Sequence, residues 1–296
     1  MDLSVIIVNW NTKKLLDDCL SSIFKFTKDI DFEVIVIDND SKDGSPELVK
    51  KKYSKVKLIE NKDNVGYAKA NNQGIKVAKG EYILLLNSDT YLIENSFEKL
   101  VEKVQTEQNL GVLAPLLLNV DRSTQQSAGY FPHLPQVFFW MTFLDDLPGG
   151  TLLKPYHLDH NWFYRKDHEV DWITGAAFLI PKKVIDDVGT LDESIFMYGE
   201  DVDWCYRIKK SGFKVIYSPV TKIVHIGRGS SGQISKNAII GEFKGIKIFY
   251  QKHKGSTSLL FLRLFLKIGA LARIVIFSLL CRRETAKFYA ESLKMA

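Results

Sequence analysis

Gly80 to Thr90, GEYILLLNSDT, is an apolar run that stops abruptly at three small polar residues, Asn87, Ser88 and Asp89. Tyr82 to Leu86 is too short for a helix and has no polar alternation, which predicts a strand buried on both faces, as in parallel sheets. A helix-period stretch precedes it, with Gly80 placed as a C-terminal cap. The order is helix, strand, acidic tip. In open α/β sheets ligands sit beyond the carboxyl ends of strands, so Asp89 stands where a substrate would. A carboxylate there can hold a divalent cation and, through it, a diphosphate. Asn-Ser-Asp also suits a turn and a helix cap for local hydrogen-bonding reasons, and this stretch alone does not separate the two readings.

Toward the amino terminus the same pattern repeats. Leu3 to Val8 (LSVIIV) and Glu33 to Ile37 (EVIVI) read as buried strands, the first ending at Asn9, the second at Asp38 and Asn39. Between them Thr12 is positioned to cap a helix whose apolar residues, Leu15, Leu16, Cys19, Leu20, Ile23 and Phe24, line one face. Ser45 is read as the cap of a second helix with Pro46 at its first position. Val56 to Glu60 is a third strand, and Asn64 to Lys79 (NVGYAKANNQGIKVAK) a helix of small residues leading into the central strand. Alternating strands and helices predict a parallel sheet with right-handed crossovers. The first turn, Asn9 to Lys13, has no glycine, and no GxxxxGK[ST] occurs, which excludes a dinucleotide or P-loop phosphate cradle. A nucleotide would have to be read by the side chains of Asn9, Asp38, Asn39 and Asn87 to Asp89.

Beyond Asp89, Leu92 to Gln108 is predicted as a helix and Gly111 to Leu118 as a strand. From Asn119 to Asp171 the periodicity loosens into an aromatic-rich stretch, with Phe131, Trp140, Tyr156, Trp162 and Tyr164 among others and Pro148-Gly149-Gly150 inside it. A long aperiodic segment is usually functional or mobile. Its aromatics could stack on an acceptor sugar, fill a subsidiary core or touch lipid. Trp172 to Ile180 (WITGAAFLI) resumes as a buried strand, and Pro181 opens a short helix.

Phe196 to Gly212 (FMYGEDVDWCYRIKKSG) holds the second acidic group. Acidic residues in a first helical turn oppose the helix dipole, so Glu200, Asp201 and Asp203 have a purely structural explanation. On a helical wheel Asp201 falls with Trp204, Cys205 and Ile208 on the apolar stripe, while Glu200, Asp203, Arg207 and Lys210 share the opposite, solvated face. A carboxylate on the packed side is costly unless paired or used, so Asp201 is the expected general base, with Glu200 second. Lys214 to Tyr217 and Val220 to Gly227 are predicted as two last strands. His225 ends the second of them, just before GRGSSG with Arg228. A lone histidine is more often structural than a ligand, but this position makes contact with a metal or diphosphate credible.

Together these segments resemble the glycosyltransferases of family 2, with the GT-A fold, and in particular the rhamnosyltransferase-like branch that builds bacterial surface polysaccharides. The resemblance spans about residues 3–230. It rests on VIIVNWN (Val5 to Asn11), VIDNDSKDGS (Val36 to Ser45), NVGYAKANNQG (Asn64 to Gly74), LLLNSDT (Leu84 to Thr90), WITGAAFLIPK (Trp172 to Lys182) and MYGEDVDWCYR (Met197 to Arg207).

The resemblance implies a Rossmann-like, mostly parallel sheet flanked by helices and an inverting transfer of a sugar from a nucleotide diphosphate donor to an acceptor hydroxyl. By the same implication Asp38 and Asn39 sit at base and ribose, and Gly66 and Asn72 line the nucleotide pocket. Asn87, Ser88 and Asp89 match the family's DxD motif, with Asp89 and His225 binding Mg²⁺ or Mn²⁺. Asp201 matches the base, and Arg228 is expected at the diphosphate. Asn87 replaces the first Asp of DxD with a neutral oxygen. The family branch points to rhamnose from a dTDP-rhamnose donor and to a lipid-linked saccharide or polysaccharide acceptor. The other reading is a non-catalytic, nucleotide-sugar-binding or scaffolding subunit. Retention of Asp89, Asp201 and His225 favours the enzyme. A nucleotidyltransferase is disfavoured by the lack of a glycine-rich, basic loop after the first strand.

Composition supports this division. Cys19, Cys205 and Cys281 show no paired spacing, which fits a reducing cytosolic setting, and no signal peptide is visible before Leu3. Residues 252–296 carry nine Lys/Arg and two Asp/Glu, so the tail holds +7 of a net +5 and residues 1–251 hold −2. Nucleic acid is therefore not an expected partner. The predicted division is a GT-A domain over 1–230, with 119–171 as its variable acceptor-side region, and a helical, membrane-associating segment over 231–296. Ser256 to Arg283 is amphipathic: Arg263, Lys267 and Arg273 fall within about 120° of a helical wheel, opposite a Leu/Ile/Phe face. Such a helix lies in a membrane interface, here the cytoplasmic leaflet of the plasma membrane, or packs as a core or dimer helix, so a homo-oligomer is compatible with it.

Overall fold

The structure, a computed structural model, describes residues 1–147, 154–227 and 236–296. Strands β1 (Leu3–Asn9), β2 (Phe32–Asp38), β3 (Lys57–Glu60) and β4 (Tyr82–Leu86) alternate with helices α1 (Lys13–Phe26), α2 (Ser45–Lys52) and α3 (Tyr67–Val77). Next come β5 (Thr90–Leu92), α4 (Ser96–Thr106), β6 (Leu110–Leu118), β7 (Thr124–Gln125), β8 (Ala128–Gly129) and α5 (Leu134–Thr142). After them follow β9 (His168–Val170), β10 (Trp172–Ile173), β11 (Ala177–Pro181), α6 (Lys182–Val188), α7 (Glu200–Lys210) and β12 (Lys214–His225). Helices α8 (Lys236–His253), α9 (Gly255–Leu279) and α10 (Arg283–Ser292) close the chain.

The central sheet has the order β3-β2-β1-β4-β11-β6-β12-β5, and β8 and β10 form a small separate sheet. Pairs β1 to β2, β2 to β3, β1 to β4 and β6 to β12 are parallel, whereas β11 runs antiparallel between β4 and β6. The expectation for β4 holds: every residue from Tyr82 to Leu86 is buried. Ile83 and Leu85 join the cluster containing α3, α7 and the C-terminal helices; Tyr82, Leu84 and Leu86 join the one beneath α1 and α4.

Register places the strand ends in a row. Asn9 lies opposite Asp38, and Ile6 opposite Leu85, so continuing the β1 to β4 register sets Ser88 beside Asn9. Thr90 faces His225 across the antiparallel β5 and β12, and the Ile226 N–H bonds the Asp89 carbonyl at 2.8 Å. The predicted acidic tip and the last strand therefore meet at one rim.

Several local expectations are corrected. Gly80 does not cap α3, which ends in an extended Ala78; a Cβ on Gly80 would lie 2.4 Å from the Ser4 nitrogen, so glycine is required for close approach to β1. Ser45 is the first residue of α2, and the left-handed Gly44 is its cap. Residues 90–92 form β5, and the helix starts only at Ser96. Trp172 to Ile180 is two strands in two sheets, because the chain turns at Thr174-Gly175-Ala176. The last two predicted strands are one, β12, whose register against β6 shifts between Tyr217 and Lys222, around Pro219 with no N–H to donate.

The tail differs most. It is three helices whose inner faces join the core of the sheet: Phe243, Phe249, Leu262, Leu266, Phe277 and Tyr289 all belong to it. Arg263 and Lys267 are exposed as expected, but Arg273 is only 6% exposed. Its guanidinium donates to the Trp140 and Met141 carbonyls at the end of α5 and to the Tyr289 hydroxyl, and lies 4.2 Å from the Phe143 ring centre. A helical wheel assigned it to the solvent because the wheel knows nothing of α5 and α10. The outward face of α9 is instead apolar, with Leu260, Leu264, Ile268, Leu271, Val275 and Leu279 each 45% to 79% exposed. Among the described residues no helix is long and apolar enough to cross a membrane.

Candidate active site

Asn9 is fully buried at the end of β1. Its amide donates to Asp38 Oδ2 (2.8 Å) and Ser41 Oγ (3.1 Å), and its oxygen accepts from the Thr12 hydroxyl (2.6 Å). Thr12 makes no capping bond; its hydroxyl lies 3.1 Å from Ser88 Oγ and so joins the first loop to the β4 tip. Asp38 and Asn39 are buried too. Asp38 Oδ1 takes the Ser41 N–H, while Asn39 bonds Asn61, Asn64 and the Gly66 carbonyl. Both side chains are thus buried and engaged with neighbouring protein groups rather than open to solvent. Gly66 adopts φ +89°, and a Cβ there would lie 2.7 Å from the Phe196 ring, so this glycine lets Phe196 pack at the rim. Asn72 is drawn elsewhere: its amide oxygen and nitrogen both bond the Leu191 main chain, fastening α3 to the segment before α7.

Asp89, Asn87 and His225 come together. His225 Nε2 lies 3.2 Å from Asp89 Oδ1 and 3.3 Å from Asn87 Nδ2, and His225 Nδ1 donates to Gln125 Oε1 at 2.6 Å. Gln125 thus fixes the ring and turns Nε2 toward Asp89. Burial would raise the Asp89 pKa, but the hydrogen bond and charge of His225 and the Gly227 N–H outweigh it, leaving the carboxyl below its ordinary value. The imidazole Nε2 and the Asp89 carboxylate thus share one point of approach, beside the Asn87 amide. The donor set, one carboxylate, one imidazole and one amide, therefore fits a divalent ion completed by diphosphate and water oxygens. Arg228, expected at the diphosphate, lies outside the described residues.

The second acidic group approaches through β11. The Asn87 N–H bonds the Ala176 carbonyl (3.0 Å), the Gly175 N–H bonds Asp201 Oδ2 (3.3 Å), and the Tyr67 hydroxyl donates to the Gly175 carbonyl (2.8 Å). The turn at Gly175-Ala176 therefore joins the two acidic groups, bonded on one side to Asn87 and on the other to Asp201. Burial raises the Asp201 pKa, partly offset by the Val202 and Gly175 N–H groups. Burial, then the neighbouring Asp201 charge, pushes Glu200 up to about 8, and its Oε2 has no hydrogen-bond partner. Glu200 is thus held neutral near pH 7, beside an Asp201 that retains two backbone donors, and unequal environments of this kind separate an acid from a base in a pair.

The predicted faces of α7 are corrected. Glu200 is 6% exposed and Asp203 is fully buried, so neither lies on a solvated side. The helix is sandwiched between the sheet and α8, and both its faces are packed. Phe131, Tyr156, Phe163 and Tyr164 are likewise buried, so much of the aromatic segment is a subsidiary core; Trp162, 54% exposed, is not. Pro148-Gly149-Gly150 lies outside the described residues. Sequence reasoning missed Thr12, Ser41, Tyr67 and Gln125. The first two were readable as polar residues beside strand ends; no local signal ties Gln125 to His225.

Residues 4–171, more than half the chain, match the family model for glycosyl transferase family 2, and the protein belongs to that family. Over 275 residues it is 27% identical to an N-acetylglucosaminyl-diphospho-decaprenol L-rhamnosyltransferase of Mycobacterium tuberculosis, covering 86% of this chain and 85% of that one. It is 40% identical over 240 residues to a poly(ribitol-phosphate) beta-glucosyltransferase of Bacillus spizizenii, covering 74% of this chain and 34% of the relative. A mannosyltransferase of Pyrobaculum calidifontis, solved with GDP-Man and Mn²⁺, superposes at a TM-score of 0.57 with 14% identity, covering 98% of this chain and 85% of that one. The fold is GT-A, as expected.

Proposed function

We propose that the protein is an inverting, metal-dependent glycosyltransferase that moves a sugar, rhamnose from dTDP-rhamnose by preference, to a lipid-linked saccharide or polysaccharide acceptor in surface-glycan synthesis. The observation that carries this reading is the chain of contacts that links the Asp89 and His225 pair to Asp201 through Asn87, Ala176 and Gly175. Asp201 takes the proton of the acceptor hydroxyl as its oxygen bonds to the anomeric carbon from the face opposite the diphosphate. The bond from that carbon to the diphosphate breaks, and the diphosphate leaves with the electron pair. Asp89 and His225 would hold a Mg²⁺ or Mn²⁺ ion, which would supply charge compensation for the departing diphosphate. Asn9, Asp38, Asn39, Gly66 and Ser88 shape the nucleotide pocket, and Arg228 adds positive charge.

The substrate class of the Mycobacterium tuberculosis relative, a diphospho-decaprenol, supports a lipid-linked acceptor. So does α9. An apolar outward face bordered by Arg263 and Lys267 suits an anionic bilayer, and we place it on the cytoplasmic leaflet of the plasma membrane, with residues 231–296 forming the attaching segment. The test is product analysis with lipid-linked saccharides. Mass spectrometry should find one added sugar, and NMR an anomeric configuration opposite to the donor's; retained configuration would remove the single-base mechanism.

A further inference from the structure

Helix α8 lies outside the stretch that resembles the family, yet it grips the catalytic helix at two places. At the start of α7, Gly245 of α8 receives the Tyr198-Gly199 backbone, and Gly241, one turn earlier, receives the Tyr198 ring. A Cβ on Gly245 would lie 2.5 Å from the Tyr198 carbonyl oxygen, and one on Gly241 2.2 Å from the Tyr198 ring. Gly199 is the N-cap of α7, immediately before Glu200 and Asp201. One turn further on, the fully buried Asp203 receives Lys252 Nζ (2.6 Å) and His253 Nε2 (2.8 Å) on Oδ1, and Arg207 Nε (3.0 Å) on Oδ2. Lys252 also reaches Asp192 at 2.6 Å, in the segment that Asn72 fastens to α3. Arg207 in turn donates to the Val188 and Thr190 carbonyls.

The donors explain how a charge survives there. An isolated buried carboxylate is strongly disfavoured, whereas one with several charge-assisted hydrogen bonds is rigid, and removing a single partner leaves the remainder uncompensated. Two of the three donors come from α8. The helix has no free axial slide, because the glycine contact and the ion pairs lie about two turns apart along it.

We propose that His253 and Lys252 are positioning residues for the glycosyl transfer: through Asp203 they hold the first turn of α7, and with it Asp201, in its reactive place. The C-terminal segment is then part of the catalytic apparatus as well as a membrane contact. This inference rests on the assignment of Asp201 as base, but its test has an arm that does not.

The variants are His253→Ala and His253→Gln, the second of which restores an N–H donor to Asp203. Hydrogen exchange of residues 196–206 in the full chain is read first and needs no substrate. Exchange should quicken in His253→Ala and return toward wild type in His253→Gln; unchanged exchange in His253→Ala overturns the proposal. Release of nucleoside diphosphate from the sugar donor that wild type turns over is read second, at 20 °C on folded protein. For His253→Ala kcat should fall at least tenfold with donor KM within twofold, and His253→Gln should recover to within threefold. A kcat unchanged in His253→Ala, with only thermal stability lowered, would make the contact merely structural. If wild type releases nucleoside diphosphate from no donor, the transferase reading fails, and the exchange arm still decides whether α8 holds α7.

Discussion

His225 Nε2 lies 3.2 Å from Asp89 Oδ1, with the far side of the imidazole held by Gln125 Oε1 at 2.6 Å. Three separate segments thus meet at the proposed cation site: the β4 tip, the end of β12 and the short β7. Orientation of a ligating histidine by its other nitrogen is typically worth about 10–100-fold in metal affinity or activity. Gln125→Leu should therefore weaken Mn²⁺ binding by at least about tenfold, measured by calorimetry in the presence of nucleoside diphosphate. Affinity equal to wild type would take Gln125 out of the site.

The two carboxyls of α7 should separate sharply. Asp201→Asn removes the proposed proton acceptor and should lower kcat by about 10²–10⁴ at pH 7. Glu200 is already protonated at that pH, so Glu200→Gln copies its state and should cost less than about tenfold. Equal losses in the two variants would contradict the assignment of roles.

Glu200 also predicts a pH dependence of stability. Its pKa is raised from 4.5 to about 8 in the folded protein, so folding takes up a proton throughout that interval. Its contribution to stability is complete below about 4.5 and is lost as pH rises through about 8. Urea midpoints at pH 5, 6.5 and 8 should decline less steeply for Glu200→Gln than for wild type. Parallel curves would show that Glu200 is not the group that titrates.

The two sides of α9 should respond to different assays. Arg273→Ala removes a charged donor from the Trp140 and Met141 carbonyls and from the Tyr289 hydroxyl and should lower stability by about 2–4 kcal/mol in chemical denaturation. Leu264→Glu with Leu271→Glu, on the outward face, should leave the melting temperature within a few degrees but release the protein from vesicles containing anionic lipid. Vesicle binding that survives the double substitution would contradict the membrane role of this face.

What the sequence discloses here follows from how local each signal is. The apolar run Tyr82 to Leu86 and the polar residues after it identify strand and rim without tertiary knowledge, because a strand buried on both faces leaves few alternatives. Asp89, Asp201 and His225 each end or begin an element and so could be placed. The faces of α7 and α9 could not be. A helical wheel presumes one packed side, whereas α7 lies between the sheet and α8, and α9 is apolar both toward α5 and outward. Asp203 and Arg273 were consigned to solvent for that reason, and each is instead buried among partners distant in sequence.

The central claim is that this rim transfers a sugar with the help of a cation. The full chain, Mn²⁺ and a panel of uridine, thymidine and guanosine diphosphate sugars should release nucleoside diphosphate from one donor. A chelator should stop that release, and so should Asp89→Ala. Donor binding without release, even with lipid-linked saccharides supplied, would contradict the account and identify the protein as a non-catalytic binding subunit.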